Sequence, residues 1–332
     1  MCYNIYMSLP LTRIMRIKEK HRIHKTAGAF SYRESESKKM NEVIHGDSIQ
    51  LIKKLECDSV HLILSDIPYG ISFDDWDVLH TNTNSALLGS SPAQEKAGAV
   101  FKKRGKPLNG WSEADKKIPL EYYEWCTTWA SEWLRVLKPG GSAFIFAGRR
   151  LCHRCICAME DAGFIYKDMI SWEKETALHR AQRVSAVYER RKDTENAQKW
   201  SGWRLGNLRP LFEPVLWFMK PYKVGQTLAD NILEHELGAY NSDEWKHYNS
   251  LTSNIIKIKS EKSDHGYHPT QKPVALIEAL IKLTTKENHV VLDPFCGSGS
   301  TLVAAKNLNR NYIGYELSEE YYRIAKKRLN QE

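Results

Sequence analysis

Residues 289–317, HVVLDPFCGSGSTLVAAKNLNRNYIGYEL, leave this chain little choice of fold. Val290 to Leu292 form an apolar run that stops at Asp293. A turn containing Gly297 and Gly299 follows, then small and apolar residues at helical spacing. A second apolar run, Tyr312 to Tyr315, stops at Glu316. Near-continuous apolar runs of this length suit strands buried on both faces. Two such strands joined by a helix pair in parallel and need helices on both sides of their sheet.

The pattern recurs near residue 41. NEVIHGDSIQLIKKL reads as strand, turn at Gly46-Asp47 and helix, and DSVHLILSDIPYG as a buried strand stopped at Asp66 by a proline and a glycine. Further on, Tyr122, Trp125, Trp129, Trp133 and Leu137 recur at helical spacing and read as core. Pro139-Gly140-Gly141 is expected to end that helix, and SAFIFAG, FIYKDMISWEK and FEPVLWFMKP are further strands. TQKPVALIEALIKLTT and SEEYYRIAKKRL are helices, the second starting at Ser318. The expected architecture is α/β, a doubly wound and mostly parallel sheet.

Other stretches carry less pattern. Residues 1–40 form a basic extension, and Ser72–Lys117 is a polar connection long enough to overhang the Asp66 turn. From 174 to 267 the chain is basic and aromatic, then polar. Lys174, Arg180, Arg183, Arg190, Arg191, Lys199, Arg204 and Arg209 are interleaved with Tyr188, Trp200 and Trp203. With 48 basic against 40 acidic residues, the net charge of +8 fits a polyanionic partner. Seven scattered cysteines fit a reducing cytoplasm. Cys152, His153, Cys155 and Cys157 crowd together, but Arg149–Gly163 reads as one helix and no second ligand pair stands at finger spacing, so no metal is expected. No apolar run reaches membrane-spanning length.

Two turns carry the chemistry. At Gly297 and Gly299 no Cβ keeps a ligand from the backbone, and the next helix points its N-terminus at the same place. Glu316, one strand later, is placed to accept from both hydroxyls of a ribose. This is an adenosine-type cofactor site at the carboxyl end of a strand. Ser300, Thr301 and Leu302 follow Gly299, so the third glycine of a pyrophosphate turn is missing. The second turn is Ser65-Asp66-Ile67-Pro68-Tyr69-Gly70. Asp66 supplies carboxylate oxygens, Ile67 and Pro68 supply rigidly aimed carbonyls, and Tyr69 supplies a ring. Together they suit a planar amine.

At these residues the chain resembles the DNA amino-methyltransferases. DIPYG resembles their D-P-P-Y motif, LDPFCGSGSTLVAA their cofactor motif, and HPTQKP, His268 to Pro273, the segment before it. The catalytic motif comes first and the cofactor motif last, the order of the circularly permuted β group. The resemblance implies a seven-stranded, Rossmann-like methyltransferase sheet, a catalytic domain of residues 41–173 and 268–332, and a target-recognition region of 174–267. It implies S-adenosylmethionine as cofactor, held by Asp47, Asp293, Phe295, Gly297, Ser298, Gly299 and Glu316, with Thr270 and Lys272 flanking. Asp66, Ile67, Pro68 and Tyr69 become the catalytic set, with Ile67 standing where the family has proline. Lys174, Arg180, Arg183, Arg190, Arg191, Arg204 and Arg209 become candidates for contact with double-stranded DNA.

The implied reaction is direct transfer to a flipped base. None of the twelve prolines precedes a cysteine, which argues against carbon-5 cytosine methylation. Asp at the first motif position favours adenine N6, with cytosine N4 as the alternative and an RNA or protein amine more distant. A nicotinamide oxidoreductase leaves DIPY unexplained, and a non-catalytic DNA-binding protein leaves two intact turns without purpose. Resemblance to the β group also admits a homodimer and a companion restriction endonuclease as partners.

Overall fold

The computed structural model describes residues 40–69, 113–177, 181–261, 264, 266–267 and 271–330. The basic extension up to residue 39, the Ser72–Lys117 connection up to residue 112, Arg180, and His268 to Thr270 lie outside the described residues.

Strand β1 (Glu42–His45) leads into helix α1 (Ser48–Leu51), capped by the Asp47 side chain, and then β2 (Val60–Asp66). Helix α2 (Glu113–Val136), β3 (Leu137–Phe146), α3 (Cys152–Asp161) and β4 (Ile165–Glu173) follow. A small excursion holds β5 (Gln182–Arg183), α4 (Val184–Arg190), α5 (Thr194–Lys199) and β6 (Arg204–Leu205). The chain returns through β7 (Phe212–Met219), α6 (Leu228–His235), α7 (Ser242–Lys246) and β8 (Ile255–Lys257). It closes with α8 (Val274–Thr284), β9 (Val290–Asp293), α9 (Ser300–Asn307), β10 (Asn311–Glu316) and α10 (Glu319–Asn330).

The main sheet runs β1-β10-β9-β2-β3-β7-β4-β8. Every pairing is parallel except the two made by β7. From β9 the chain winds outward to β10, and from β2 it winds outward to β3. Strands β9 and β2 therefore flank the point where winding reverses, and ligands of open α/β sheets bind at the carboxyl ends there. Asp293 and Asp66 are the last residues of those two strands.

The core follows from the strand sequences. In β2, Val60 and Ile63 pack with Tyr122, Trp129 and Trp133 of α2, while Leu62 and Leu64 pack on the other side with Leu276, Leu280 and Leu302. Cys155 of α3 is buried in the first cluster and Cys157 is exposed, so the crowded thiols point around a helix.

Three expectations change. The sheet has an eighth strand, because the three residues of β8 extend the edge beside β4. The boundary at 174 and 267 does not hold. Strand β7 lies between β3 and β4, with Leu216 and Phe218 buried in one cluster and Val215 and Trp217 in the other. A strand buried on both faces is core, so among the described residues of 174–267 it is the excursion between β4 and β7 that stands apart from the sheet. Third, α2 starts at Glu113, upstream of Pro119, and ends at Val136 rather than at the glycines. Pro139-Gly140-Gly141 forms a bulge within β3, since Val60 faces Leu137 while Leu62 faces Ser142. Gly140 has φ +76°, and a Cβ there would stand 2.3 Å from Asn231 Nδ2.

At the opposite end of the same strands, His61 and His289 stack with ring centroids 4.2 Å apart. Burial, then His289 and Lys138, push His61 down to about 3. Burial also pushes His289 down to about 4; Glu236 opposes this, while Arg310, Lys138 and Lys286 add to it. Both rings are neutral in the fold and charge more readily when unfolded. Their contribution is present above the unfolded value near 6.5 and is lost as pH falls toward the folded values. Thermal midpoints should therefore fall steeply between about pH 6.5 and 4. His289→Asn should flatten that fall; an unchanged slope would show that the pair is not responsible.

Candidate active site

The cofactor side of the site is built from the ends of β9 and β10. Asp293 is buried, and its Oδ1 accepts from Ser65 Oγ at 2.7 Å and from Phe295 N at 3.1 Å. Burial pushes its carboxyl up to about 7. Glu316 accepts from Gly297 N at 2.8 Å and Ser318 N at 2.7 Å, which fixes the carboxylate across the turn. Burial raises its pKa, and those N–H bonds hold it back in part. Asp47 accepts from Ile49 N at 3.0 Å as the cap of α1.

These residues line a cleft of about 710 Å³ that also reaches Asp66, Ile67, Pro68 and Tyr69. Its acids are Asp47, Asp66, Asp293, Glu316 and Glu320, against the lysine Lys272. Such a lining repels a pyrophosphate and favours a cationic ligand. Ile49, Phe295 and Leu317 supply apolar surface beside Glu316 and Asp47. The donor set fits an adenosine carrying a positive sulfonium.

The catalytic side is a closed polar cluster. Tyr69 Oη donates to Asp66 Oδ1 at 3.0 Å, and Lys272 Nζ donates to Asp66 Oδ2 at 2.5 Å. Lys272 also reaches Tyr69 Oη and Glu213 Oε1, each at 3.1 Å. Glu213 Oε1 is within hydrogen-bond reach of Tyr69 Oη, and Glu213 Oε2 accepts from Lys174 Nζ. Burial raises the Asp66 carboxyl, opposed by Lys272 and reinforced by Glu213. Burial also raises Glu213, but Lys272 and Lys174 outweigh it and bring the group down to about 2. Burial lowers the Lys272 ammonium, while Asp66 and Glu213 turn the balance upward. Tyr122 Oη donates to the Pro68 carbonyl at 2.8 Å, which braces the turn and leaves that oxygen one lone pair.

Most of the expected residues meet here, with reassignments. Lys272, expected beside the cofactor, is bonded to Asp66. Lys174, expected on DNA, is bonded to Glu213 and lies 4.5 Å from the Trp172 ring centroid. Gly299 does not line the cleft; it has φ +81°, and a Cβ there would stand 3.0 Å from Ala325 Cβ. Ser298 does line it and accepts from Arg328 Nη1 through its carbonyl at 2.6 Å. Trp125, expected in the core, is half-buried at the cleft wall, 5.8 Å from Phe295. Arg183, Arg190, Arg191, Arg204 and Arg209 are exposed on the excursion. The sequence reading missed Glu213, Arg328 and Gln271. Both amide atoms of Gln271 are buried at the cleft wall and have no hydrogen-bond partner among the described residues.

A family model described as DNA methylase, covering the N6 and N4 enzymes, matches residues 60–327. The chain belongs to this family. Type II methyltransferase M.HindIII of Haemophilus influenzae is 59% identical to it over 292 residues, 86% of this chain and 94% of that protein. Type II methyltransferase M2.LlaDCHI of Lactococcus lactis subsp. cremoris is 29% identical, over 87% of this chain and 88% of that one. Among solved structures, the cytosine-N4-specific PvuII DNA methyltransferase superposes with a TM-score of 0.55 at 19% identity, over 86% of this chain and 85% of that chain. That likeness concerns the fold. The chain is thus a site-specific DNA methyltransferase whose methyl donor is S-adenosylmethionine. No described helix is long and apolar enough to cross a membrane.

Proposed function

We propose that the enzyme methylates the N6 amine of adenine at a specific site in double-stranded DNA, by base flipping and direct in-line transfer. The observation that carries this reading is Asp66, a carboxylate that lines the same cleft as Asp293 and Glu316 and is followed by Ile67 and Pro68. The target amine lies inside the duplex stack, so flipping costs roughly a few kcal/mol before chemistry starts. Tyr69 flanks the entering base. Asp66 and the Ile67 or Pro68 carbonyl accept the two amine hydrogens. This turns the nitrogen lone pair out of conjugation and toward the cofactor. When bound, S-adenosylmethionine supplies an electrophilic methyl group. Asp66, already raised by burial, takes the proton that the nitrogen sheds. Rate enhancement comes from positioning and fixed charge, without a covalent enzyme intermediate.

The excursion between β4 and β7 supports DNA contact. It exposes Arg183, Arg190, Arg191, Arg204 and Arg209 beside Trp203, Leu205 and Leu208. Arginines suit phosphates and guanine edges. If Arg209 holds a phosphate, Arg209→Ala should weaken binding on all sequences and flatten the log–log salt dependence by about 0.9. An unchanged slope would remove Arg209 from the phosphate contacts. A homodimer and a companion restriction endonuclease for the same site complete the reading.

Incubation of the protein with unmodified duplex DNA and labelled S-adenosylmethionine, followed by nucleoside analysis, tests the choice of base. N6-methyladenine is expected. N4-methylcytosine would move the enzyme to the other branch of its family, and label only in RNA or protein would overturn the reading.

A further inference from the structure

Both oxygens of Asp66 already hold a hydrogen-bond donor in this structure. One oxygen takes the Tyr69 hydroxyl and the other takes the Lys272 ammonium. A target amine that takes either oxygen competes there with a resting donor, and the bond to it is shortest and strongest when that donor gives way. Releasing a buried ammonium into an apolar site is costly unless another acceptor is in place. Glu213 is that acceptor. Its Oε1 lies 3.1 Å from Lys272 Nζ and within reach of the Tyr69 hydroxyl, so both partners of Asp66 already touch Glu213. The Tyr69 hydroxyl has one proton, which can serve either carboxylate.

We propose that Glu213 is a positioning residue, which retains Lys272 and the Tyr69 proton when Asp66 exchanges them for the target amine. Lys272 stands as a placeholder cation where the amine will bind. Lys174 completes the balance, because two carboxylates and two ammoniums leave the cluster neutral. The groups facing Asp66 come from the elements around it: Tyr69 after β2, Glu213 on β7, Lys272 before α8 and Asp293 on β9, with Lys174 after β4 acting one step away on Glu213. Glu213 reaches this cluster because β7 runs antiparallel, so its first residues stand beside the last residues of the parallel strands.

The inference rests on Asp66 as the site of the amine, and the test separates the two. Glu213→Gln should bind S-adenosylmethionine normally yet lose about 10- to 100-fold in kcat, because Lys272 then clings to Asp66 and the amine is misplaced. Without the Glu213 charge, the acidic limb of the kcat–pH profile should move to lower pH. Lys174→Met should move the same limb to higher pH, because Glu213 then draws Lys272 away from Asp66. Adding Lys272→Met to Glu213→Gln should recover part of the lost kcat. A purely structural role predicts lower thermal midpoints with the limb unmoved. Normal kcat in Glu213→Gln, or a loss confined to KM, would overturn the proposal. If Glu213→Gln does not fold, a limb unmoved in Lys174→Met overturns it. Were Asp66→Asn also fully active, the amine site itself would be misplaced.

Discussion

Asp66→Ala should lower methyl transfer by about 1,000-fold or more while leaving S-adenosylmethionine affinity within about 3-fold. In the proposed mechanism the truncation removes both the acceptor that draws the amine lone pair out of conjugation and the group that takes the proton. It touches none of the contacts at Gly297, Glu316 or Asp47. The variant also leaves Lys272 with Glu213 and the Tyr69 oxygen as its nearby acceptors. Breaking a buried pair costs up to about 3–5 kcal/mol, and the surviving partner keeps this case at the low end. Single-turnover kinetics, calorimetric titration of the cofactor and a melting curve separate the three effects. Near-normal turnover would take Asp66 out of the chemistry.

Glu316→Ala should do the reverse. The carboxylate is held by two backbone N–H groups and faces the cleft. Hydrogen bonds to a charged group contribute about 1.5–3 kcal/mol, so loss of the ribose contact should weaken S-adenosylmethionine binding by roughly 10- to 150-fold. The change also leaves Gly297 N–H and Ser318 N–H without their acceptor and loosens the turn. Turnover at saturating cofactor should fall far less than affinity. Equal losses in kcat and affinity would mean that Glu316 also shapes the reacting geometry. An unchanged Kd would remove it from the cofactor site.

The contrast between these variants follows from the topology. Strands β2 and β9 are neighbours at the reversal point, so one cleft serves both turns. Ser65 ties them together, since its hydroxyl donates to Asp293 while the next residue is Asp66. A shift in one turn is therefore felt by the other.

Much of this was legible in the chain. The buried runs ending at Asp66, Asp293 and Glu316 determined a parallel sheet with three acids at its carboxyl edge, because strand length, glycine turns and helical spacing are local signals. The missing third glycine argued against a pyrophosphate, the DIPYG turn suited a planar amine, and the resemblance to the DNA amino-methyltransferases supplied the cofactor. Glu213 followed the same grammar, as an acid beside an apolar run, but it stands at the amino end of its strand. Only the antiparallel placement of β7 brings it to the site, and strand order depends on pairing between distant segments. The same cause moved Lys174 and Lys272, whose long, flexible side chains take whatever carboxylate the fold brings near. Sequence by itself determined the two turns and their places at strand ends; tertiary structure alone decided which charges surround Asp66, because Tyr69 and Glu213, which meet there, are 144 residues apart in the chain.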